Sequence, residues 1–167
     1  MNAIVLYQSK TGFTERYATW LAEALGCPCK PLKRAMKDGL KQYKTVIFGG
    51  WVMGGMIMGL NKLQQSGIKP AAVFAVGSTP PYEEVQQTVR EQNKLGETPF
   101  YYFEGGFSFE KLGFFKRMLL KALKKSISKK ETKNRQEEFM AQALGTSFDH
   151  SDKAQIKPLA TAVLEKI

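Results

Sequence analysis

Short apolar runs alternate with helix-like segments along this chain of 167 residues. A run of β-branched and apolar residues is typical of a buried strand, and apolar residues at every third or fourth position are typical of a helix. Strands that alternate with helices indicate an α/β protein with an open parallel sheet and helices on both faces. We expect one domain over residues 1–167, because this length suffices for one core. The predicted strands are 3–7, 27–32 (an edge strand), 45–50, 71–77 and 98–104, and the predicted helices are 15–26, 34–42 (helix or loop), 57–66, 83–93, 109–127, 133–144 and 152–167.

The most informative turn lies between the first predicted strand and the first predicted helix. The first turn of a helix leaves backbone N–H groups unpaired and carries partial positive charge, so it suits a phosphate. Hydroxyl groups in the turn add donors, and a glycine lets the backbone close around an anion. An ordinary capped helix start is equally compatible with these residue types. The turn consists of Ser9, Lys10, Thr11, Gly12, Phe13 and Thr14.

This turn lacks the glycine spacing of a Walker loop and the Gly-x-Gly-x-x-Gly of a classical dinucleotide fold. It resembles instead the phosphate-binding loop of flavodoxins, where a hydroxyl-x-Thr-Gly-x-Thr pattern wraps the phosphate of FMN. The resemblance covers nearly the whole chain. It implies a flavodoxin-like three-layer fold, with a five-stranded parallel sheet of order 2-1-3-4-5, and it implies FMN as the cofactor.

Two further loops are expected to meet the phosphate turn in one cleft, because ligands of such sheets sit beyond the carboxyl ends of the strands. Trp51 and Tyr82 can stack on a flat ring, and the alternative for each is to cover the core; ring contact is favoured for Trp51. Ser78 and Thr79 can bond a ligand or cap the next helix. The candidate residues in these loops are Trp51, Val52, Met53, Gly54, Gly55, Gly77, Ser78, Thr79 and Tyr82.

The formal net charge of +10 is concentrated in an insertion between the last strand and the last helix, at about residues 108–147. From Glu110 to Arg135 the chain has ten Lys or Arg against two Glu, a net of +8. The predicted helix 109–127 places apolar residues on one side, among lysines. These apolar residues are Leu112, Phe115, Met118, Leu119, Ala122 and Leu123.

The insertion is similar to the basic helix of the flavodoxin-like group that includes menaquinone-dependent protoporphyrinogen oxidase. The matching residues are Gly105-Gly106-Phe107, Leu112, Phe115-Lys116-Arg117-Met118 and Lys124-Lys125. The second insertion helix departs from that group. Three interpretations stay open: contact with an anionic membrane or quinone-bearing partner, a wall at the entrance to the flavin, or a cover helix with solvated lysines. No recognition motif for nucleic acid accompanies the charge.

We therefore expect an FMN-binding redox protein that transfers electrons through bound flavin, with no protein acid or base. The alternatives are an enzyme of the protoporphyrinogen oxidase type with a quinone acceptor, and a flavin-free domain that binds a partner. The expected partner is a redox protein or a quinone. The two cysteines, Cys27 and Cys29, suit reduced thiols, and no leader is seen, so we expect a cytoplasmic location with peripheral membrane contact as an option.

Overall fold

A central sheet of five parallel strands organises residues 2–166, which are the residues that this computed structural model describes. The strands are β1 (Ala3–Gln8), β2 (Cys29–Pro31), β3 (Thr45–Met53), β4 (Met56–Ile57), β5 (Ala72–Gly77) and β6 (Phe100–Glu104). They follow the order β2-β1-β3-β5-β6, and β4 pairs antiparallel with the end of β3. Counting the parallel strands alone, this is the predicted order 2-1-3-4-5.

Helices cover both faces of this sheet, as predicted. They are α1 (Phe13–Leu25), α2 (Leu32–Asp38), α3 (Leu60–Gln65), α4 (Glu83–Gln92), α5 (Phe114–Ser128), α6 (Arg135–Ala143) and α7 (Lys157–Leu164), with 3-10 turns at Phe109–Lys111 and Lys153–Ile156.

Each face of the sheet has its own apolar core, because successive side chains of a strand point to opposite faces. Ile4 and Leu6 of β1 pack with residues of α2, α3 and α4. Val5 lies between them in sequence and packs with Tyr17 of α1 and Leu159 of α7. Burying one large apolar side chain stabilises a fold by about 1.5–3 kcal/mol, so these two cores hold the three layers together.

The strand predicted at 45–50 continues to Met53, so the prediction that 51–56 is a loop was wrong for its first half. Gly49 and Gly50 lie inside the strand, where neighbours fill the space that a side chain would need. A Cβ on Gly49 would lie 1.9 Å from Cζ of Phe74, and one on Gly50 would lie 2.5 Å from the carbonyl oxygen of Met58. The chain turns only at Gly54 and Gly55 and returns as β4, so the helix predicted at 57–66 begins at Leu60.

The other corrections concern the second predicted strand and the segments around the insertion. The edge strand predicted at 27–32 spans Cys29–Pro31, and the helix that follows it begins at Leu32. The helix predicted at 109–127 is divided into a 3-10 turn and α5, and the final helix is divided likewise, with the predicted end at Ile167 outside the described residues. A ribbon that was not predicted, formed by β7 (Gly106–Phe107) and β8 (Phe148–Asp149), closes the base of the insertion.

Candidate functional site

The turn after β1 leads into α1 and leaves backbone N–H groups unpaired at the start of that helix. Gly12 is the N-cap of α1 and adopts a φ of 101°, in the left-handed region that favours glycine. Its amide donates to Oγ of Ser9 over 3.1 Å, which fixes the turn from inside. Within the described chain, no backbone or side-chain acceptor takes the amide hydrogens of Phe13 and Thr14. These two donors are therefore free for an anion.

Thr14 carries a polar atom for which the described protein supplies no partner. Its side chain is buried, with 1% of the residue exposed, and Oγ1 makes no hydrogen bond to the residues described. A buried polar group without a partner costs roughly 1–3 kcal/mol. Because Thr14 lies in the first turn of α1 and lines a cavity, an anion bound there would relieve this cost.

That cavity, which we call the turn cavity, has a volume of about 420 Å³. This volume is within the usual range for small-molecule sites, roughly 300–1,000 Å³. Four parts of the chain form its wall: the turn after β1, the end of β3, the end of β5, and the insertion. The lining residues are Lys10, Thr11, Phe13, Thr14, Trp51, Val52, Met53, Val76, Ser78, Gly106, Phe107, Ser108, Leu112, Lys116, Leu119 and Leu120.

A second cavity of about 340 Å³, the α6 cavity, adjoins the first. Val52, Ser78 and Phe107 line both cavities. Four of the predicted site residues, Gly54, Gly55, Gly77 and Thr79, line only this second one, together with side chains of α6. The single cleft that the sequence predicts is therefore two adjoining cavities.

Ser9 and Tyr82 line neither of these cavities. Ser9 acts on the turn through its bond to Gly12. Tyr82 packs partly buried against the core, and the guanidinium carbon of Arg135 in α6 lies 5.9 Å from its ring centre. Ring stacking by Tyr82 stays a prediction, as does ligand contact by the other candidate residues.

Asn93, which the sequence analysis did not select, holds the β3–β4 turn in place. It is 7% exposed, and its side-chain amide donates to the carbonyl oxygens of Gly55 at 2.8 Å and Val89 at 2.7 Å. Its Oδ1 accepts from the amide of Ile57 at 2.9 Å. A polar residue at the end of a predicted amphipathic helix was the only signal in the sequence, and it is a weak one.

Tyr102 holds the loop after β5 in the same way. Its hydroxyl donates to the carbonyl oxygen of Thr79 over 2.9 Å, and burial raises the pKa of this phenol, with the Glu104 carboxylate adding to the shift. The hydroxyl passes directly over Gly77, where a Cβ would lie 1.9 Å from the tyrosine oxygen. Gly77 therefore lets Tyr102 reach the loop.

The insertion supplies one wall of the turn cavity, and the segments that flank it are tied to α1. The hydroxyl of Tyr17 donates to the carbonyl oxygen of Glu104 at 2.5 Å and accepts from the amide of Asp152 at 3.1 Å. The guanidinium of Arg16 bonds the carboxylate of Asp149 at 2.6 Å. The sequence analysis left a wall at the entrance open as one role of the insertion, but it did not name the wall residues of the insertion as site residues.

The charge on the wall of the turn cavity is positive. Lys10 and Lys116 line it, and none of its lining residues within the described chain is Asp or Glu. No group of His, Cys, Asp or Glu among residues 2–166 is arranged to hold a metal ion. The two thiols offer no activated nucleophile, because burial raises the pKa of Cys27 and raises that of Cys29 to about 11.

The family described as Flavodoxin domain matches residues 4–135. No protein with a curated description matches the chain.

Three solved structures illustrate the similarity. Oxidised flavodoxin 2 from Bacillus cereus has 20% identity and a TM-score of 0.45, over 61% of this chain and 83% of that one. A flavodoxin from the domain Archaea has 17% identity and a TM-score of 0.40, over 61% and 78%. The rubredoxin oxygen:oxidoreductase of Desulfovibrio gigas has 17% identity and a TM-score of 0.41, over 98% of this chain and 37% of that one.

Proposed function

The chain belongs to the flavodoxin domain family, and from that membership we propose that it binds FMN and transfers electrons through the bound flavin. The observation that carries the proposal is the unpartnered, buried Oγ1 of Thr14 beside a cavity of ligand size. A phosphate ester needs several donors at one point, and the first turn of α1 supplies them.

The residues present fit FMN at both of its ends. The free amides of Phe13 and Thr14 and the hydroxyls of Thr11 and Thr14 would hold the phosphate, with Lys10 nearby to balance its charge. Trp51 and residues 52–53 would lie beside the ring system. The bound flavin would supply reversible electron transfer.

The protein's own part is to position this ligand and to control its surroundings. Asn93 and Tyr102 hold the two loops that border the cavities, and α5 forms one side of the turn cavity. Lys10 and Lys116 favour negative charge in the cavity. We assign no protein acid or base.

Copurification of FMN at one per chain tests the proposal first, because a flavin-free domain would be colourless. The residues are then tested with Thr14→Val, which keeps the shape of the side chain and removes its hydroxyl. We expect the variant to bind FMN about ten- to hundredfold more weakly, the usual value of a hydrogen bond to a charged group. Riboflavin, which lacks the phosphate, should bind both proteins alike.

Thr161→Val is the matched control, because Thr161 is exposed on α7, far along the chain from the turn. Equal FMN affinity of the Thr14 variant and the wild type would contradict the assignment of the turn. Absence of any FMN or riboflavin binding by the wild type would contradict the proposed function as a whole.

A second candidate function is oxidation of a substrate with a quinone as acceptor, as in the protoporphyrinogen oxidase group. The wall that the insertion contributes favours it: Leu112, Lys116 and Leu119 together offer apolar surface and one positive charge, which suit a large apolar acid. Turnover of protoporphyrinogen with a menaquinone analogue would support this enzyme. Reduction of a redox protein without such turnover would support an electron carrier.

A further inference from the structure

Helix α5 exposes most of its large apolar side chains. Phe114 is 71% exposed, Phe115 78%, Met118 53%, Leu119 69% and Leu123 41%. On the same helix, only Ile127 is buried. Scattered exposed apolar residues are ordinary, but five on one helix of 15 residues form a patch that needs a partner.

These residues share one side of the helix. At about 3.6 residues per turn, Phe114, Phe115, Met118 and Leu119 lie on the outer side, with Ala122 between them one turn later. Leu120 and Ile127 lie on the opposite side, toward the protein, where Leu120 lines the turn cavity. The outer apolar side is therefore not the side that packs on the core.

Basic side chains border this apolar side. Arg117, Lys121 and Lys125 follow one edge of it, and Lys116 lies near the other. The ion pairs formed within residues 2–166 do not include these four cations. A helix with Phe, Met and Leu on one face, beside unpaired Lys and Arg, is the pattern of helices that lie in the interface of a membrane.

We propose that α5 binds an anionic lipid surface, with its outer apolar side inserted at the level of the acyl-chain boundary. The basic edge would contact lipid phosphates, and the apolar side would leave water. Such a membrane contacts both the apolar side and the basic edge of α5. We therefore prefer it to partners that would contact only one of them.

Two other occupants fit less well. A second copy of the chain in a two-fold dimer would place the same basic edge against itself, and the segment from Glu110 to Arg135 has a net charge of +8. A nucleic acid would satisfy the lysines and leave the two phenylalanines in water.

The proposal does not depend on FMN, but it gives the turn cavity an orientation. Leu119 belongs to the exposed side of α5 and also lines that cavity. A lipid-bound α5 would therefore bring the rim of the cavity to the membrane surface, where an apolar electron carrier dissolved in the bilayer would meet it.

The test is sedimentation of the full chain with vesicles of phosphatidylcholine alone and of phosphatidylcholine with phosphatidylglycerol. We expect binding to the anionic vesicles at least about tenfold stronger than to the neutral ones, because each Lys or Arg near the surface adds attraction. Added salt should weaken it.

Two double variants of α5 test the apolar side and the basic edge separately. Phe115→Ser with Met118→Ser should reduce binding about tenfold or more, and so should Lys121→Gln with Lys125→Gln. All four positions are exposed, so folding should not suffer. The matched controls are Leu164→Ser, 49% exposed on α7, and Lys33→Gln with Lys37→Gln on α2, which should bind like the wild type.

Three outcomes would overturn the proposal: equal binding to neutral and anionic vesicles, unchanged binding by the α5 variants, or no vesicle binding at all. In the last case, dimerisation that the serine variant abolishes would assign the face to a second copy. FMN binding is measured separately on the same samples, so failure here is distinct from failure of the proposed function.

Discussion

The ammonium of Lys10 lies 5.2 Å from the centre of the indole ring of Trp51. The pair joins the turn after β1 to the end of β3, and both residues line the turn cavity. A cation over an indole stabilises an exposed contact by about 0.5–1 kcal/mol. In the proposed complex, Lys10 would serve the phosphate of FMN and Trp51 its ring.

The pair predicts two different binding defects. Lys10→Met removes a charge and keeps most of the stem, so FMN should bind about tenfold more weakly while riboflavin binds as before. Trp51→Leu removes aromatic contact, so both ligands should bind more weakly, by up to about tenfold. Titration followed by flavin fluorescence measures both. Lys62→Met, at an exposed position of α3, is the control.

A uniform defect in both variants, for FMN and riboflavin alike, would contradict this division of roles. It would indicate that the two residues only support the shape of the cavity.

Asn93 predicts a stability defect with a local origin. Asn93→Leu leaves the amide of Ile57 and the carbonyl of Gly55 without their partner, and one unpaired buried group costs about 1–3 kcal/mol. We expect the free energy of unfolding to fall by about 2–4 kcal/mol in urea. Flavin affinity should fall as well, because the β3–β4 turn loses its support.

Gln87→Ala is the control, because within residues 2–166 the amide of Gln87 bonds only the exposed side chain of Glu91 on the same helix. An Asn93 variant as stable as this control would show that the turn holds its shape without the amide.

Asn93 also shows the limit of what the sequence could predict. Apolar runs such as 71–77 indicate buried strands by their composition alone, and a local pattern indicates the phosphate turn. The strand order, in contrast, was implied by the resemblance to flavodoxins. Asn93 acts on residues 36 and 38 positions earlier in the chain, at Ile57 and Gly55. No spacing in the sequence reports such a contact.

Glycine produced the main error in the predicted strands. Two glycines in a row usually end a strand, which is why β3 was predicted to end at Gly50. Here the ring of Phe74 occupies the place of one side chain and the backbone at Met58 that of the other. The partner that makes glycine necessary lies on another element, so only the tertiary structure distinguishes this use of glycine from a turn.

Periodicity likewise predicted the apolar side of α5 but not its exposure. Apolar residues at helical spacing are most often covered by the core, and Phe115 and Leu119 follow that spacing. Their exposure depends on the tertiary position of the insertion, which periodicity in the sequence does not report.

Gly77 predicts a second stability defect, of steric origin. A methyl group there would meet the hydroxyl of Tyr102, so Gly77→Ala should destabilise the fold by about 1–3 kcal/mol. In the double variant with Tyr102→Ala, the total loss of stability should be smaller than the sum of the two single losses, because the clash is gone. Thermal and urea unfolding measure this. Gly113→Ala, where nothing lies within 4 Å of the added carbon, should cost no more than the loss of a favourable N-cap of α5, about 1 kcal/mol. Additive losses in the double variant would argue against the clash.

The ion pair of Arg16 with Asp149 should make a small contribution to the free energy of unfolding, and this contribution should depend on pH. Burial alone would raise the pKa of Asp149, but the hydrogen bonds from Arg16 and from the amide of Ser151, together with the charge of Arg16, bring it below its ordinary value. A lowered pKa means that the pair stabilises the fold above the ordinary pKa of Asp, about 3.9, and that this is lost as the pH falls through the lowered value.

Asp149→Asn should therefore cost no more than about 1 kcal/mol at neutral pH, because the side chains of Arg16 and Asp149 are 43% and 45% exposed and solvent screens the pair. The difference in free energy of unfolding between variant and wild type should shrink below about pH 4. Urea unfolding at a series of pH values measures it, and a difference that is the same at pH 3 and pH 7 would contradict the assignment.

Lys116 predicts a change in the redox potential of the bound flavin. The wall of the turn cavity carries two lysines and, among the described residues, no carboxylate. Positive charge favours the more negative, reduced ligand, so the wild type should have a higher potential than a flavodoxin with acidic loops. Lys116→Glu should lower the midpoint potential by an amount on the order of tens of millivolts, and Lys116→Gln by about half as much. The control is Lys129→Glu, which makes the same change of charge just beyond the end of α5. An equal shift of the potential in both glutamate variants would mean that net charge, and not the wall of the cavity, sets the potential.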